Sequence, residues 1–430
     1  MNNVEKFAEN YKQFVSKCKT EYEVAQEFVE IAKQNGFVDL EEKDKIEVGD
    51  KIYWVFDDRL CMFAKISDTE ELRLIGVHSD SPRLELKLKP FEDKKDLNIG
   101  VMKIGFYGGI APYIWLNHPL ELRGVIYYNG EKKFVKIKNL VISDHLIHLS
   151  RKRLEERKAE EVIKWEEMKV LSVLGNQEKD LKKKMLEIIS KEVGIELEEK
   201  DFIKANFVLV PSYEAMDIGL DKSMIGAYGH DDKSLCFASF AALLEANVKN
   251  TSMLVVVDKE EIGSESRTSI RSEAVRYFIE ELLNKAGNNK IRKTLLKSKA
   301  ISADVTAAVA PGFEDVYDIE NSAKLGKGVV IERFHSYAGK YHQNEASLKF
   351  TEWIVNKLDA NNIPWQAAVL VSKTDPKMGG GGTISSFMAR FGMNVIDIAI
   401  PTIGMHTPLE IIAKSDLHAA FRAFKVFYES

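Results

Sequence analysis

Met253-Leu-Val-Val-Val257 runs straight into Asp258-Lys-Glu260-Glu261, five apolar residues followed at once by four charged ones. A short, unbroken apolar run suits a strand buried on both faces, and the charges then sit at its carboxyl end. Three other segments are built alike: Leu72–Val77 ends on His78-Ser-Asp80, Ala300–Ala303 ends on Asp304, and Val395–Ile400 leads through Pro401-Thr-Ile-Gly404 to Met405-His406. Helical periodicity separates them, over Lys233–Asn247, Ser272–Lys285, Glu345–Leu358, Ile384–Phe391 and Ile411–Tyr428, with one more strand expected at Ala367–Val371. Alternation of this kind predicts an α/β fold, a mostly parallel central sheet with helices on both faces.

Moving outward, Val4–Asn35 reads as two amphipathic helices, and Lys51–Phe56 and Cys61–Ile66 as further strands. Residues 90–225 differ. Val125–Tyr128, Phe134–Ile137 and the glycines around them point to short β elements joined by turns. Within this stretch 13 of the 19 residues of Arg151–Lys169 are charged, seven basic and six acidic, the pattern of a solvated helix. At 430 residues the chain is too long for one core. The expected division is a catalytic α/β domain of 1–89 plus 226–430, interrupted by a β-rich insert of 90–225.

The 61 basic and 66 acidic residues are mixed along the chain and leave a net charge of −5, which argues against a nucleic-acid surface. The N-terminus carries no signal-like apolar core, and the longest uncharged stretch, Ser234–Leu244, is too short to span a bilayer. Cys18, Cys61 and Cys236 lie far apart with no disulfide or zinc spacing. No membrane and a reducing, cytoplasmic home are the expectation.

In an open α/β sheet, ligands bind in the crevice beyond the carboxyl ends of the strands. One crevice could therefore receive His78, Glu260-Glu261, Asp304 and His406, together with the acidic turn Gly229-His230-Asp231-Asp232-Lys233. Singly each is weak, because a strand-end histidine or a helix-start aspartate is usually structural. Together they supply two imidazoles and several carboxylates, a donor set for two divalent cations. Such a pair repels itself and needs a shared carboxylate between its members, leaves room for a water, and acidifies that water near neutral pH. A carboxylate off the metals must then move the proton. Adjacent glutamates can divide these tasks.

Gly76-Val-His78-Ser-Asp80-Ser-Pro82, Asp231-Asp232-Lys, Asp258-Lys-Glu260-Glu261-Ile-Gly-Ser-Glu-Ser266, Ile301-Ser-Ala-Asp304, Thr383-Ile384 and Met405-His406 span nearly the whole chain. In that order they resemble the M18 aminopeptidases. The resemblance implies that His78, Asp231 and Asp304 hold one metal ion and that Asp231, Glu261 and His406 hold the other, with Asp231 bridging. It implies Glu260 as general base and Asp80 as the carboxylate supporting His78. Zinc is the default ion, and cobalt or manganese suit the same mixed donors. Asp231-Asp232 stands where the family commonly has Asp-Asn, which leaves two candidates for the bridge. Asp144-His145-Leu-Ile-His148 resembles a segment whose second histidine reaches a neighbouring subunit's active site, which implies such a role for His148. Met378-Gly-Gly-Gly-Gly-Thr383 could offer backbone N–H groups to substrate, although it lacks a P-loop ending.

The reading is an exopeptidase acting on short peptides, and the resemblance further implies dimers, built through the insert, that assemble into a dodecamer. Two alternatives stay open. A two-metal dipeptidase or deacylase would accept N-acylated substrate, and a non-catalytic assembly protein would be indifferent to chelation. Arg333 and Lys340 are candidate cations for a pocket that prefers acidic first residues.

Overall fold

A computed structural model describes residues 3–175, 180–335, 340–374 and 383–430. The chain forms two compact units, one of Met1–Asp80, Ala215–Met405 and Leu409–Ser430, the other of Ser81–Glu214 and His406–Pro408.

In the first unit, α1 (Val4–Lys17) is capped by Asn3, which accepts from the amides of Glu5 and Lys6. Next, α2 (Glu21–Gln34) opens on a Thr20–Glu23 capping box. Both bury their apolar stripe, Phe7, Tyr11 and Phe14 from one and Val24, Phe28 and Ala32 from the other. Strands β1 (Val38–Asp39), β2 (Lys51–Phe56), β3 (Leu60–Lys65) and β4 (Asp68–His78) follow. Asp57 and Asp58, both left-handed, turn the chain between β2 and β3.

The second unit is a closed antiparallel barrel. Its strands are β5 (Arg83–Lys94), β6 (Ile99–Tyr107), β7 (Leu120–Tyr128), β8 (Glu131–Ile142), β9 (Lys169–Leu174) and β10 (Ala205–Pro211), in the order β10-β5-β6-β9-β8-β7. Helices α3 (Ile147–Glu156) and α4 (Leu181–Val193) interrupt the strands in sequence. The charged stretch expected to be one helix to Lys169 is helical only to Glu156. There Arg157 turns to meet Glu167 with two hydrogen bonds of 3.0 and 3.1 Å, and short 3-10 turns follow.

Returning to the first unit, the chain forms β11 (Met216–Ile218), β12 (Met224–Ala227), α5 (His230–Glu245), β13 (Asn250–Val257), α6 (Glu273–Lys285), α7 (Ile291–Lys297) and β14 (Lys299–Ala307). It continues through β15 (Val329–Glu332), α8 (Leu348–Ala360), β16 (Trp365–Ala367), α9 (Ser385–Ala389), β17 (Asn394–Thr402), β18 (Glu410–Ala413) and α10 (Lys414–Tyr428). The large sheet runs β1-β2-β3-β13-β4-β14-β17-β15-β16. It is mixed, with antiparallel pairings at β2/β3, β3/β13 and β17/β15. Its central block β13-β4-β14-β17 is wholly parallel, as the apolar runs required.

Alternation along those strands feeds two cores. Leu254, Val256, Ile75, Val77, Ile301 and Ile398 face a cluster that includes residues of α1, α2, α5, α8 and α10. Met253, Val255, Leu74, Ala300 and Val395 face another, with residues of α6 and Met388 of α9. Helices therefore cover both faces of the sheet.

The expected border at 89/90 falls within β5, where its pairing with β6 shifts register between Leu86 and Phe91, and β12 pairs with β18 inside the first unit. Two expectations about single elements are amended. Residues 410–413 form that strand rather than the start of a helix. The strand expected at Ala367–Val371 is shorter and earlier, at Trp365–Ala367.

Candidate metal centre

The parallel block ends its strands in register, so that His78 at the tip of β4 lies opposite Val257 of β13. His78 is buried. Its Nε2 lies 3.3 Å from Asp231 Oδ1 and 3.5 Å from Asp304 Oδ1. Its Nδ1 lies 3.1 Å from the Asp80 carbonyl oxygen and 3.5 Å from the Asp80 carboxylate. An imidazole whose Nδ1–H is occupied this way presents its Nε2 lone pair to a metal. Burial alone would lower the His78 pKa, but the Asp304 charge and the hydrogen bonds to Asp231 and Asp304 outweigh it and raise the pKa well above the usual range.

Asp231 and Asp232 precede the regular part of α5, and their backbone is not helical (φ −77°, ψ 106° and φ −114°, ψ 25°). That break separates their tasks. The Asp231 amide donates to Glu410 Oε2 at 3.0 Å, and its carboxylate joins His78 and Asp304. Asp232 turns the other way, accepting from the His78 amide at 3.3 Å. Preceding them, His230 is a structural histidine, with Tyr11 Oη at 2.6 Å and the Ile225 carbonyl at 3.1 Å.

Donor atoms of His78, Asp231 and Asp304 lie within 4.8 Å of one another, and so do those of Asp231 and Glu261. Asp231 is thus the carboxylate common to both groups. Glu260 and Glu261 follow β13 in a 3-10 turn, and their amides both donate to Asp80, at 3.2 Å to Oδ1 and 3.2 Å to Oδ2. Burial raises Glu260 to about 8, opposed by the nearby His78 and reinforced by the charges of Asp304, Asp80 and Asp231. Burial likewise raises Asp304.

Several carboxylates gathered around one imidazole repel each other, and a divalent cation is the counter-charge that fits this set. One imidazole nitrogen with carboxylate oxygens is also the chemistry of a zinc, cobalt or manganese site.

His406 and His148 belong to the second unit. His406 follows the end of β17 by four residues, is half-buried, and has left-handed φ (+66°). Its Nδ1 lies 2.9 Å from the Gly109 carbonyl oxygen. His148 is exposed on α3. Thr383 is buried and donates to Asp397 at 2.5 Å, whereas Met378–Gly382 lie outside the described residues. Arg333 lies 2.5 Å and Lys340 3.3 Å from Glu345 Oε1, at the exposed surface.

The sequence profile of the Aminopeptidase I zinc metalloprotease (M18) family matches residues 14–428. A probable M18 family aminopeptidase 1 of Borrelia garinii is 38% identical, covering 100% of this chain and 96% of that protein. The chain belongs to the M18 family. As an M18 aminopeptidase it is a peptide-bond hydrolase of the exopeptidase class. The M18 aminopeptidase of Thermotoga maritima, whose crystal structure is solved, superposes with a TM-score of 0.92 at 33% identity, over 99% of this chain and 96% of that one. The S. cerevisiae mApe1 dodecamer matches at TM-score 0.78 with 19% identity, over 99% of this chain and 97% of that one, a likeness of fold.

Sequence reasoning about this M18 chain missed the partners of the candidate residues and of the turn beside them. Glu410 on the Asp231 amide is one, and the pairing of Arg59 with Asp258 is another. Neither leaves a motif, because each joins residues about 180 to 200 positions apart.

Proposed function

We propose that this M18 aminopeptidase removes the first residue of short peptides at a pair of divalent ions. His78, Asp231 and Asp304 hold one ion, and Asp231, Glu261 and His406 hold the other. The observation that carries the reading is the sharing of Asp231, whose donor atom lies within 4.8 Å of those of His78 and Asp304 and also of Glu261. Bound ions supply Lewis acidity, which makes a water nucleophilic near neutral pH and polarises the peptide carbonyl. Zinc is the default, with cobalt and manganese accepted by the same donors.

The protein's own groups do the rest. Glu260 takes the proton from the attacking water and delivers it to the departing amine. Asp80 fixes the His78 ring through Nδ1 and the Glu260–Glu261 backbone through two amides, so one side chain sets the mutual placement of ligand and base.

Assembly follows from the family reading. The barrel unit mediates dimerisation, His148 on its exposed helix reaches the active site of a neighbouring copy, and dimers build a dodecamer, the number of subunits given for the yeast mApe1 structure. Three free, buried cysteines suit a cytoplasmic, reducing compartment. No described helix is long and apolar enough to cross a membrane.

The test uses aminoacyl-anilides with free and with acetylated amines, assayed after chelation and after return of Zn, Co or Mn. Turnover of the free-amine substrate alone, abolished by chelation and restored by metal, is the expected result. Equal turnover of the acetylated form would indicate a deacylase instead. Glu260→Gln is expected to keep metal while kcat falls at least ~100-fold. Glu261→Ala is expected to lose metal by elemental analysis, and full occupancy would remove it from the ligand set.

A further inference from the structure

The turn that carries Glu260 and Glu261 has a backbone its residues would not choose unaided. Lys259 (φ +67°) and Ser264 (φ +60°) are both left-handed, one on each side of the turn, and neither is glycine. Such residues persist only where the surroundings fix them, and here the Ser264 amide closes the turn on the Lys259 carbonyl at 2.8 Å while two carboxylates hold its amides. Asp80 takes the Glu260 and Glu261 amides from one side. From the other, Asp258 Oδ1 accepts the Lys259 amide at 2.8 Å, Oδ2 accepts the Thr268 hydroxyl at 3.2 Å, and the Asp258 amide donates to the Thr268 carbonyl at 3.1 Å.

Asp258 has no solvent exposure, so its charge needs a partner. Arg59 provides one from a distant part of the chain, the left-handed turn between β2 and β3. Its Nη1 lies 3.1 Å from Asp258 Oδ2 and its Nη2 3.3 Å from Asp57, while its guanidinium lies 5.3 Å from the centre of the Tyr22 ring of α2. Two carboxylates and a ring thus hold the guanidinium.

We propose that Arg59 is a positioning residue for peptide hydrolysis. It fixes Asp258, and Asp258 fixes the turn that aims Glu260 at the water and Glu261 at the metal. The inference rests on the roles given above to those two glutamates. Arg59 itself touches neither glutamate's assigned chemistry, and no substrate group need reach it. Because displacements of about 1 Å can cost ~100-fold in rate, a loosened turn lowers kcat before it affects binding.

The experiment compares wild type, Arg59→Ala, Asp258→Asn and the double variant on a free-amine anilide, with bound metal measured for each. Arg59→Ala is expected to lower kcat about 10- to 100-fold, with KM within about 2-fold. Added methylguanidinium is expected to recover activity at least several-fold, where methylammonium does not. The double variant is expected to be no slower than Asp258→Asn alone, because Arg59 acts through that carboxylate. Wild-type kcat in Arg59→Ala, losses that multiply in the double variant, or failure of methylguanidinium to rescue a folded Arg59→Ala each overturn the proposal. If Arg59→Ala does not fold, Arg59→Met with Asp258→Asn removes both buried charges together, a change proteins tolerate better than breaking the pair. Full kcat in that protein also overturns it. A wild type without metal-dependent turnover would instead defeat the roles of the glutamates themselves.

Discussion

At Asp80 a single carboxylate meets an imidazole and two backbone amides, and the amide group of asparagine cannot imitate it. Asparagine offers one oxygen and a pair of donors, so one of the two N–H groups at 3.2 Å would face another donor. Losing a hydrogen bond to a charged acceptor costs about 1.5–3 kcal/mol, so Asp80→Asn is expected to lower kcat/KM roughly 10- to 100-fold in anilide assays. Retained activity would relegate the amide contacts to scaffolding. What the sequence made legible is the placement of residues that, like His78, end an apolar strand. For Asp231 over Asp232 the resemblance alone gave a preference, because a break in backbone torsion, not composition, points one side chain at the His78 ring and the other at its amide. Arg333 and Lys340, candidates for a substrate pocket, instead share Glu345.

Among elements, the parallel strands were legible because a run with no polar alternation has no other use in a chain of this kind. The barrel was legible only as β-rich, since pairing order in a closed antiparallel sheet depends on contacts far apart in sequence. Gly124 shows how tightly that closure is made. With φ +124°, a Cβ added there would meet the Asn206 carbonyl oxygen of β10 at 1.9 Å. Gly124→Ala is expected to destabilise the protein by at least ~2 kcal/mol, read as a lowered denaturant midpoint. The turn after α3 makes a pH prediction. The Arg157 hydrogen bond, with help from the Lys164 amide and Arg153 and against some burial, holds Glu167 down at about 2. A carboxyl lowered on folding stabilises above its unfolded pKa, and that contribution fades as pH falls from the ordinary glutamate range through about 2. Glu167→Gln is expected to flatten the acid limb of a stability–pH curve between those limits and to leave its alkaline limb unchanged.

For the molecule as a whole, dodecamer formation is checked by sedimentation, where a particle of twelve chains is expected and a stable monomer would remove His148 from any shared site. Within the first unit, the groups that meet at Asp231 come from residues 78, 231, 261 and 304, so the first and last of them are more than two hundred positions apart. A ribosome must therefore finish β14 before Asp304 can take its place, and everything synthesised earlier is a peptidase in parts only. A polypeptide halted short of that strand, or of the later His406, is expected to leave neighbouring N-termini uncut. The order of manufacture itself withholds the blade until late in the chain.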